Sequence, residues 1–513
     1  MRTAPPSDAG HIVVIGAGIA GLMAALRLSV AGARVTLLER HDHLGGKIRT
    51  LPSAAGPINA GPTVLTMRHV FDDLFAAAGT RLEDHVRMIR HDVIARHAWP
   101  DGSRLDLYAD HGASRDAVAQ CAGSRAARQF DHFCTRARTL FEAFEAPMMD
   151  APAPSLSALS RHVMARPRLI PAMAPLSRLR GLLRRSFDDP RLRQLFGRYA
   201  TYVGGAPHLS PAILSLIWHA EAQGVWTPEG GMHGLTQALG EVLRGCGVTI
   251  QTGAHVARLS QQSGRIAAVE LEGGARLTCD AAIYAGDPRA LATGTLGPAV
   301  SHVAPQTRTL PRSFSARVHS FAGTPGGFDL AFHNVLFAAD QDEEFQSLAR
   351  GQIPTDPTLY ICALDRAEGT PPPLERFEII ANAPATAATD QPKELDAWHH
   401  RIMHRMTDRF GLTFSPTPSP HTITTPQDFA RLFPASQGAL YGQSPHGLLS
   451  SFQRPTARTK VPGLYLAGGG THPGAGVPMA ARSGLHAAEA ILSDRTSTSP
   501  SARTAMRGGM STA

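Results

Sequence analysis

The chain is poor in lysine, cysteine and aromatic residues, and it has no long apolar run. Lysine stands only at positions 47, 393 and 460, so the formal charge of +8 rests almost wholly on arginine. Arginine excess marks a surface that faces anions, but by itself it does not choose between nucleic acid and anionic lipid. The five cysteines (Cys121, Cys134, Cys246, Cys279, Cys362) are odd in number and form no CxxC pair. That argues against a disulfide framework and a thiolate metal site, and it agrees with a reducing cytoplasm. The longest uncharged apolar stretch, residues 12–26, has 15 residues, whereas a membrane span needs about 20. It could imitate a signal peptide, but Asp8 falls where a basic segment belongs and the glycine spacing has another explanation. The sequence therefore reads as a soluble or peripheral protein.

What is present is enough apolar material, 43% of 513 residues, to bury cores in about two to four domains, which excludes a chain disordered throughout. The 49 glycines follow no three-residue period, so they serve turns and close backbone approaches rather than a fibre.

Organisation follows from periodicity. His11–Ile15 is a buried-strand pattern, residues 19–31 a helix closed by Gly32, and Arg34–Leu38 a second strand, together one βαβ unit. The same style returns over 230–290, with a helix at 235–244 and strands at 248–252, 256–259 and 266–271. It returns once more with a strand at 463–466, a glycine-rich turn and a helix at 480–492. Three separated pieces in one style predict an α/β fold: a discontinuous Rossmann-like domain formed by 11–80, 225–290 and 440–493. The intervening 81–224 and 291–439 predict an inserted α+β domain. Residues 125–222 are helix-rich there, while strands at 314–321, 358–364 and 377–381 and a helix near 393–406 mark its second half. Leu176, Leu179, Leu182, Leu183 and Phe187 fall on one helical face opposite Arg178, Arg184 and Arg185. Leu192, Leu195, Phe196, Tyr199, Tyr202 and Val203 form a second stripe that stops at Gly204. Residues 1–10 read as a flexible leader and 494–513 as a disordered tail.

The chemistry begins at Gly16, Ala17, Gly18 and Gly21, a GxGxxG placed between strand and helix. The first two glycines admit a pyrophosphate to the free N–H groups of the helix start, and the third lets helix and strand pack closely. Glu39 ends the second strand, where a carboxylate meets an adenosine ribose. Arg40, Gly45, Gly46, Lys47, Arg49 and Thr50 follow, bringing flexible backbone and cations back to the pyrophosphate, a device that suits FAD better than NAD. No second GxGxxG stands between a strand and a helix, so one FAD and no NAD(P) is expected. His400 and His404 have metal-pair spacing but lack the adjacent glutamate of a zincin, and no metal is expected. Gly442 to His446 begins like a nucleophile elbow but lacks its last glycine and reads as a structural loop.

These motifs, with NAGPT at 59–63, YVGG at 202–205, TPEGG at 227–231 and GGGTHPGAG at 468–476, resemble the FAD-binding amine oxidase and phytoene desaturase superfamily. The resemblance runs from about residue 11 to 492. It is nearest to the hydroxyneurosporene (methoxyneurosporene) desaturases of phototrophic bacteria, through ERHDHLGGKIRTLPSAAG and YGQSPHGLLSSFQRPTARTK. It implies that Gly16, Ala17, Gly18, Gly21, Glu39, Arg40, Gly46, Lys47, Gly61, Pro62 and Thr63 surround FAD and that Val256 meets the adenine through its backbone. It places the segment carrying Gly469, Gly470 and Met479 along the ribityl chain and isoalloxazine. Asn59 stands where many relatives have Asp, and no acid or base pair of the family can be placed.

The activity implied is removal of two hydrogens across C3 and C4 of an acyclic 1-hydroxycarotenoid in carotenoid biosynthesis. Phytoene desaturation, carotenoid isomerisation and amine oxidation are the enzymatic alternatives. A nucleotide- or lipid-binding peripheral protein is the non-catalytic one. The partners implied are the carotenoid, a membrane surface on the cytoplasmic side, and oxygen or a quinone as electron acceptor, with no nucleic acid. The arginine-rich region 161–198 is the expected docking surface.

Overall fold

The computed structural model describes residues 10–385 and 392–498. Strand β1 (His11–Ile15) is the centre of a five-stranded parallel sheet, in the order Leu464–Leu466, Ala281–Tyr284, β1, β2 (Arg34–Leu38), Thr249–Gln251. Successive side chains of a strand point to opposite faces. Ile12 and Val14 accordingly join a core built by helix α1 (Ile19–Val30) and the helices Met232–Gly245 and Val477–Thr498. Val13 and Ile15 face the other way, onto a three-stranded antiparallel sheet formed by Val256–Gln262, Arg265–Leu271 and Arg276–Thr278. Burial on both faces is why these strands read as continuous apolar runs.

The second body is a large mixed sheet, in the order Thr413–Ser415, Ser315–Gly326, Glu375–Ala383, Leu359–Ala363, His333–Leu336, Val93–Ala98, Arg104–Tyr108. One face packs on Trp398, Ile402 and Met406 of the helix Pro392–Phe410. The other packs on the helices His111–Phe144, Leu179–Ser186 and Pro190–Gly197. A hairpin of β3 (Arg49–Leu51) and β4 (Ile58–Ala60) leaves the nucleotide-binding part and lies against the strands Ser315–Gly326 and Glu375–Ala383. It joins the two bodies and positions the site.

Three sequence expectations shift. Leu176 does not belong to the first apolar stripe, because the helix begins at Leu179 and Leu176 is 91% exposed in the preceding turn. The second stripe is split between the helix Pro190–Gly197 and a 3₁₀ turn, Arg198–Val203. The first residues of the tail expected from 494 are ordered, since the last helix continues to Thr498 and Asp494 bonds both Arg458 (2.9 Å) and the Tyr465 hydroxyl (2.8 Å). A polar composition there reads as disorder, and tertiary hydrogen bonds override it. The rest of that tail and the leader up to residue 9 lie outside the described residues.

Candidate cofactor and active site

The turn after β1 shows why its glycines are glycines. Gly16 has φ +100°, and a Cβ on Gly21 would fall 1.9 Å from the Gly16 carbonyl oxygen. Gly18 caps α1 without a side-chain partner for its first N–H groups, and a Cβ there would meet no protein atom closer than 3.9 Å. Gly21 is thus required by packing, whereas Gly18 keeps space open for a ligand at the positive end of the helix.

The second glycine pair is built onto the first. Gly45 N–H donates to the Ala17 carbonyl (2.8 Å), and a Cβ on Gly46 would lie 3.1 Å from Gly18 Cα. Glu39 is 4% exposed and accepts from Ala17 N–H at Oε2 (2.7 Å) and from His41 N–H at Oε1 (2.9 Å). Each carboxylate oxygen keeps a further lone pair, so the group that fixes the turn still has capacity for ribose hydroxyls. Gly16, Glu39, Arg40, Val256, Tyr284 and their neighbours line a small cleft of about 90 Å³ beside the Glu39 carboxylate, at the end where an adenosine would enter.

Further along the groove, cations converge. Lys47 is half-buried, bonds the Leu440 carbonyl, and its ammonium is pushed down to about 8 by desolvation, partly offset by Asp287. Arg312 pairs with Asp287. Arg454 donates to the carbonyls of Gly469 (2.6 Å) and Gln443 (3.0 Å), and burial pushes it down to about 10. Three cations, one buried and two half-buried, against one carboxylate leave a surplus that an anion would neutralise, since uncompensated charge away from water is costly.

The remaining residues come from the two ends of the described chain. Gly469 and Gly470 are half-buried just past the strand Leu464–Leu466, and Met479 is half-buried on the first turn of the helix that follows. Gly61, with φ +130°, Pro62 and Thr63 leave β4 and are also half-buried. Asn59 has a local role: its amide donates to the Gly230 carbonyl (2.8 Å), and its Oδ1 accepts from His233 N–H (2.9 Å). That pair of bonds uses the donor and the acceptor of an amide at once, which an ionised Asp cannot supply.

The glycine cradle, the buried carboxylate at the adenosine end and the cation surplus fit a dinucleotide with a pyrophosphate. FAD is the cofactor, and the chemistry it supplies is acceptance of hydride equivalents. The residues placed to hold it are the N-terminus of α1, Lys47 and Arg454, which would face its phosphates, Glu39, which would meet its ribose, Val256, which would meet its adenine, and the 468–479 segment, which would lie along the ribityl chain and ring system. Asp287, Arg312 and Arg454 escaped the sequence reading. Asp287 stands just past a strand that ends at Tyr284, after Ala285 and Gly286, which is a usable signal. Arg454 stands within the YGQSPHGLLSSFQRPTARTK segment but nothing local assigns it a role, and Arg312 carries no signal, because only the fold brings the two together.

Comparison with known proteins agrees. The flavin containing amine oxidoreductase model matches residues 19–492. The chain is 51% identical to the hydroxyneurosporene desaturase of Cereibacter sphaeroides, over 95% of this chain and 98% of that one. It is 41% identical to the hydroxyneurosporene desaturase of Rubrivivax gelatinosus, over 99% and 98%. Among solved structures, wild-type putrescine oxidase bound to putrescine aligns with a TM-score of 0.59 at 15% identity, over 94% and 99% of the two chains. Cyclohexylamine oxidase from Brevibacterium oxydans aligns with 0.57 at 17%, over 95% and 100%. These two show the shared fold. The family match covers residues 19–492, opening directly after the first two glycines of the cradle, and the chain belongs to the flavin-containing amine oxidoreductase family and is an FAD-dependent oxidoreductase.

Proposed function

We propose that this protein desaturates the C3–C4 bond of an acyclic 1-hydroxycarotenoid, the hydroxyneurosporene type of substrate, in carotenoid biosynthesis. The observation that carries the reading is half-identity along nearly the full length of a curated hydroxyneurosporene desaturase, combined with the glycine turn and the cleft beside Glu39. In such a reaction the carbon that loses hydride is stabilised by the neighbouring polyene, and a proton leaves the adjacent carbon. The protein's task is to align the substrate and exclude water. Oxygen or a quinone fits as electron acceptor, because one dinucleotide-binding turn serves one cofactor.

A carotenoid resides in a bilayer, so the reading includes a peripheral place on the cytoplasmic face of the cell membrane. No helix among the described residues is long and apolar enough to cross a membrane. Leu156, Met164, Ile170 and Leu176 are exposed, at 53%, 77%, 48% and 91%, on a segment that also carries exposed Arg161, Arg166 and Arg168. Apolar tips among arginines suit entry into an anionic headgroup layer. Within the wider 161–198 region the arginines divide. Arg180 pairs with Asp342 (2.7 Å) and Arg191 with Asp189 (2.7 Å), whereas Arg178, Arg184 and Arg185 are exposed. Expression in a strain that accumulates 1-hydroxyneurosporene, with chromatography of the pigments, tests the proposal. A new pigment with a longer conjugated system supports it, and an unchanged pigment profile contradicts it.

A further inference from the structure

The large sheet carries a polar row beneath the cofactor loop. Ser320, Glu378, Cys362 and His333 stand in register on four neighbouring strands, and directly opposed residues share a face of the sheet. Ile380, Tyr360 and Val335 form the next row on that face, and all belong to the helix-covered core or pack on it. Three atoms of the polar row, Ser320 Oγ, Glu378 Oε2 and His333 Nε2, are buried without a hydrogen-bond partner. Buried polar atoms are normally satisfied, so an apolar sheet face that keeps such a row needs a reason.

The reason is visible in the atoms that do have partners, because they all lead to residues 61–63. Gly61 N–H donates to Glu378 Oε1 (2.8 Å). The Tyr360 hydroxyl bonds Thr63 Oγ1 (2.7 Å) and His333 Nδ1 (2.6 Å). On its other side the loop is closed in, since a Cβ on Gly61 would fall 2.1 Å from the Lys47 carbonyl oxygen. The loop is held between the backbone of the phosphate-binding lysine and the sheet.

We infer that Glu378 and Tyr360 are positioning residues that pin the two ends of residues 61–63 to the large sheet and so set where the flavin ring system rests. The inference builds on the FAD assignment and the proposed desaturation, and adds to them the parts that fix the cofactor relative to the substrate-binding body. Burial pushes the Glu378 carboxyl up to about 8. The charges and titratable groups facing it are Arg49 from β3, Cys362 from the adjacent strand and Tyr441 from the loop before Gly442. Arg49, which favours ionisation, bonds Thr424 instead of Glu378 (2.9 Å). At neutral pH Glu378 therefore anchors Gly61 mainly as a neutral acid, with its proton on Oε2. Glutamine reproduces that state, having one carbonyl for Gly61 and no charge to lose.

The experiment uses the full-length FAD-loaded protein and four forms: wild type, Glu378→Gln, Glu378→Ala and Tyr360→Phe. It reads FAD affinity, flavin circular dichroism between about pH 6 and about pH 9, and KM and kcat for the carotenoid. Glu378→Gln should keep the wild-type FAD affinity and flavin dichroism and lose the change in dichroism that wild type shows near pH 8. Glu378→Ala and Tyr360→Phe should each weaken FAD about tenfold, the value of the single hydrogen bond each side chain makes to residues 61–63, change the flavin dichroism, and lower kcat more than they raise KM. The inference is overturned if Tyr360→Phe and Glu378→Ala keep wild-type flavin signals, or if Glu378→Gln titrates like wild type. These flavin readouts are independent of the substrate. A wild type that binds FAD and shows them but leaves the carotenoid unchanged contradicts the proposed reaction alone. Should Glu378→Ala fail to fold, the Gln and Phe variants decide.

Discussion

Gly484 of the helix Val477–Thr498 lies so close to α1 that a Cβ on it would fall 2.1 Å from the Ala20 carbonyl oxygen. This crossing packs the helix that follows the glycine-rich segment at 468–476 onto the helix that follows the turn at 16–18, although more than 460 positions separate Ala20 from Gly484. A larger residue at 484 must push the two helices apart. Gly484→Val should cost about 1–3 kcal/mol, as overpacking does, and lower flavin occupancy with it. Thermal unfolding of the FAD-loaded and FAD-stripped variant measures both effects, and a wild-type melting temperature in both states contradicts the account.

Gly18 and Gly21 should fail in different ways. Gly21→Ala introduces a 1.9 Å clash with backbone and should reduce folded protein. An added Cβ at Gly18 meets no protein atom closer than 3.9 Å, so Gly18→Leu should yield folded but flavin-free enzyme, because the side chain grows into the phosphate position. Absorbance of bound flavin alongside far-ultraviolet circular dichroism separates the two outcomes. Normal flavin content in Gly18→Leu counts against the motif.

Glu39→Ala should weaken FAD about ten- to hundredfold, corresponding to about 1.5–3 kcal/mol for hydrogen bonds to a charged acceptor. The same change strips Ala17 N–H and His41 N–H of their partner. Glu39→Gln keeps one oxygen acceptor and should fall between Ala and wild type. Equilibrium dialysis of FAD against the three proteins is the check, and equal dissociation constants would mean the ribose lies elsewhere.

The nucleotide-binding half was legible because its signals are local. Gly16, Gly18, Gly21 and Glu39 sit within one βαβ unit, and alternation of Ile12, Val13, Val14 and Ile15 between two cores produces the buried-strand pattern that spacing detects. The floor of the site was not legible. Glu378 and Tyr360 read as ordinary strand residues, and they reach residues 61–63 only because pairing aligns strands more than 250 residues away in sequence. Leu176 shows the converse, in that a helical wheel places a leucine on the core face without knowing that the helix starts three residues later.

The buried Glu378 also predicts a pH dependence of stability. Its ordinary value of 4.5 rises to about 8 in the fold. The folded state therefore holds a proton that the unfolded state has released between those values, and the contribution of this group to stability falls as pH rises through that window. Glu378→Gln removes the titration. The unfolding free energy of the variant relative to wild type should increase from pH 4.5 to about 8 and level off above. Denaturant midpoints across that range measure it, and a constant difference contradicts it.

Membrane docking should depend on salt and on anionic lipid. Replacing Arg161, Arg166 and Arg168 by Gln, or Leu156, Met164 and Ile170 by Ser, should each reduce co-sedimentation with anionic liposomes and slow turnover of liposome-held carotenoid while bound FAD stays intact. Arginines near such a surface are worth about 1 kcal/mol each, so the triple arginine variant should lose roughly a hundredfold in affinity. Replacing Arg178, Arg184 and Arg185 tests whether the contact extends further along the same face. Binding unaffected by these changes and by raised salt would place the entry route elsewhere.

The most direct test of the central claim is one turnover experiment. Purified FAD-loaded protein is mixed with 1-hydroxyneurosporene in liposomes, with oxygen or a quinone supplied, and the pigment is followed by absorbance and mass. The account predicts a product two hydrogens lighter, with one more conjugated double bond and no requirement for NADPH. An unchanged carotenoid, or stoichiometric consumption of NADPH, would contradict it.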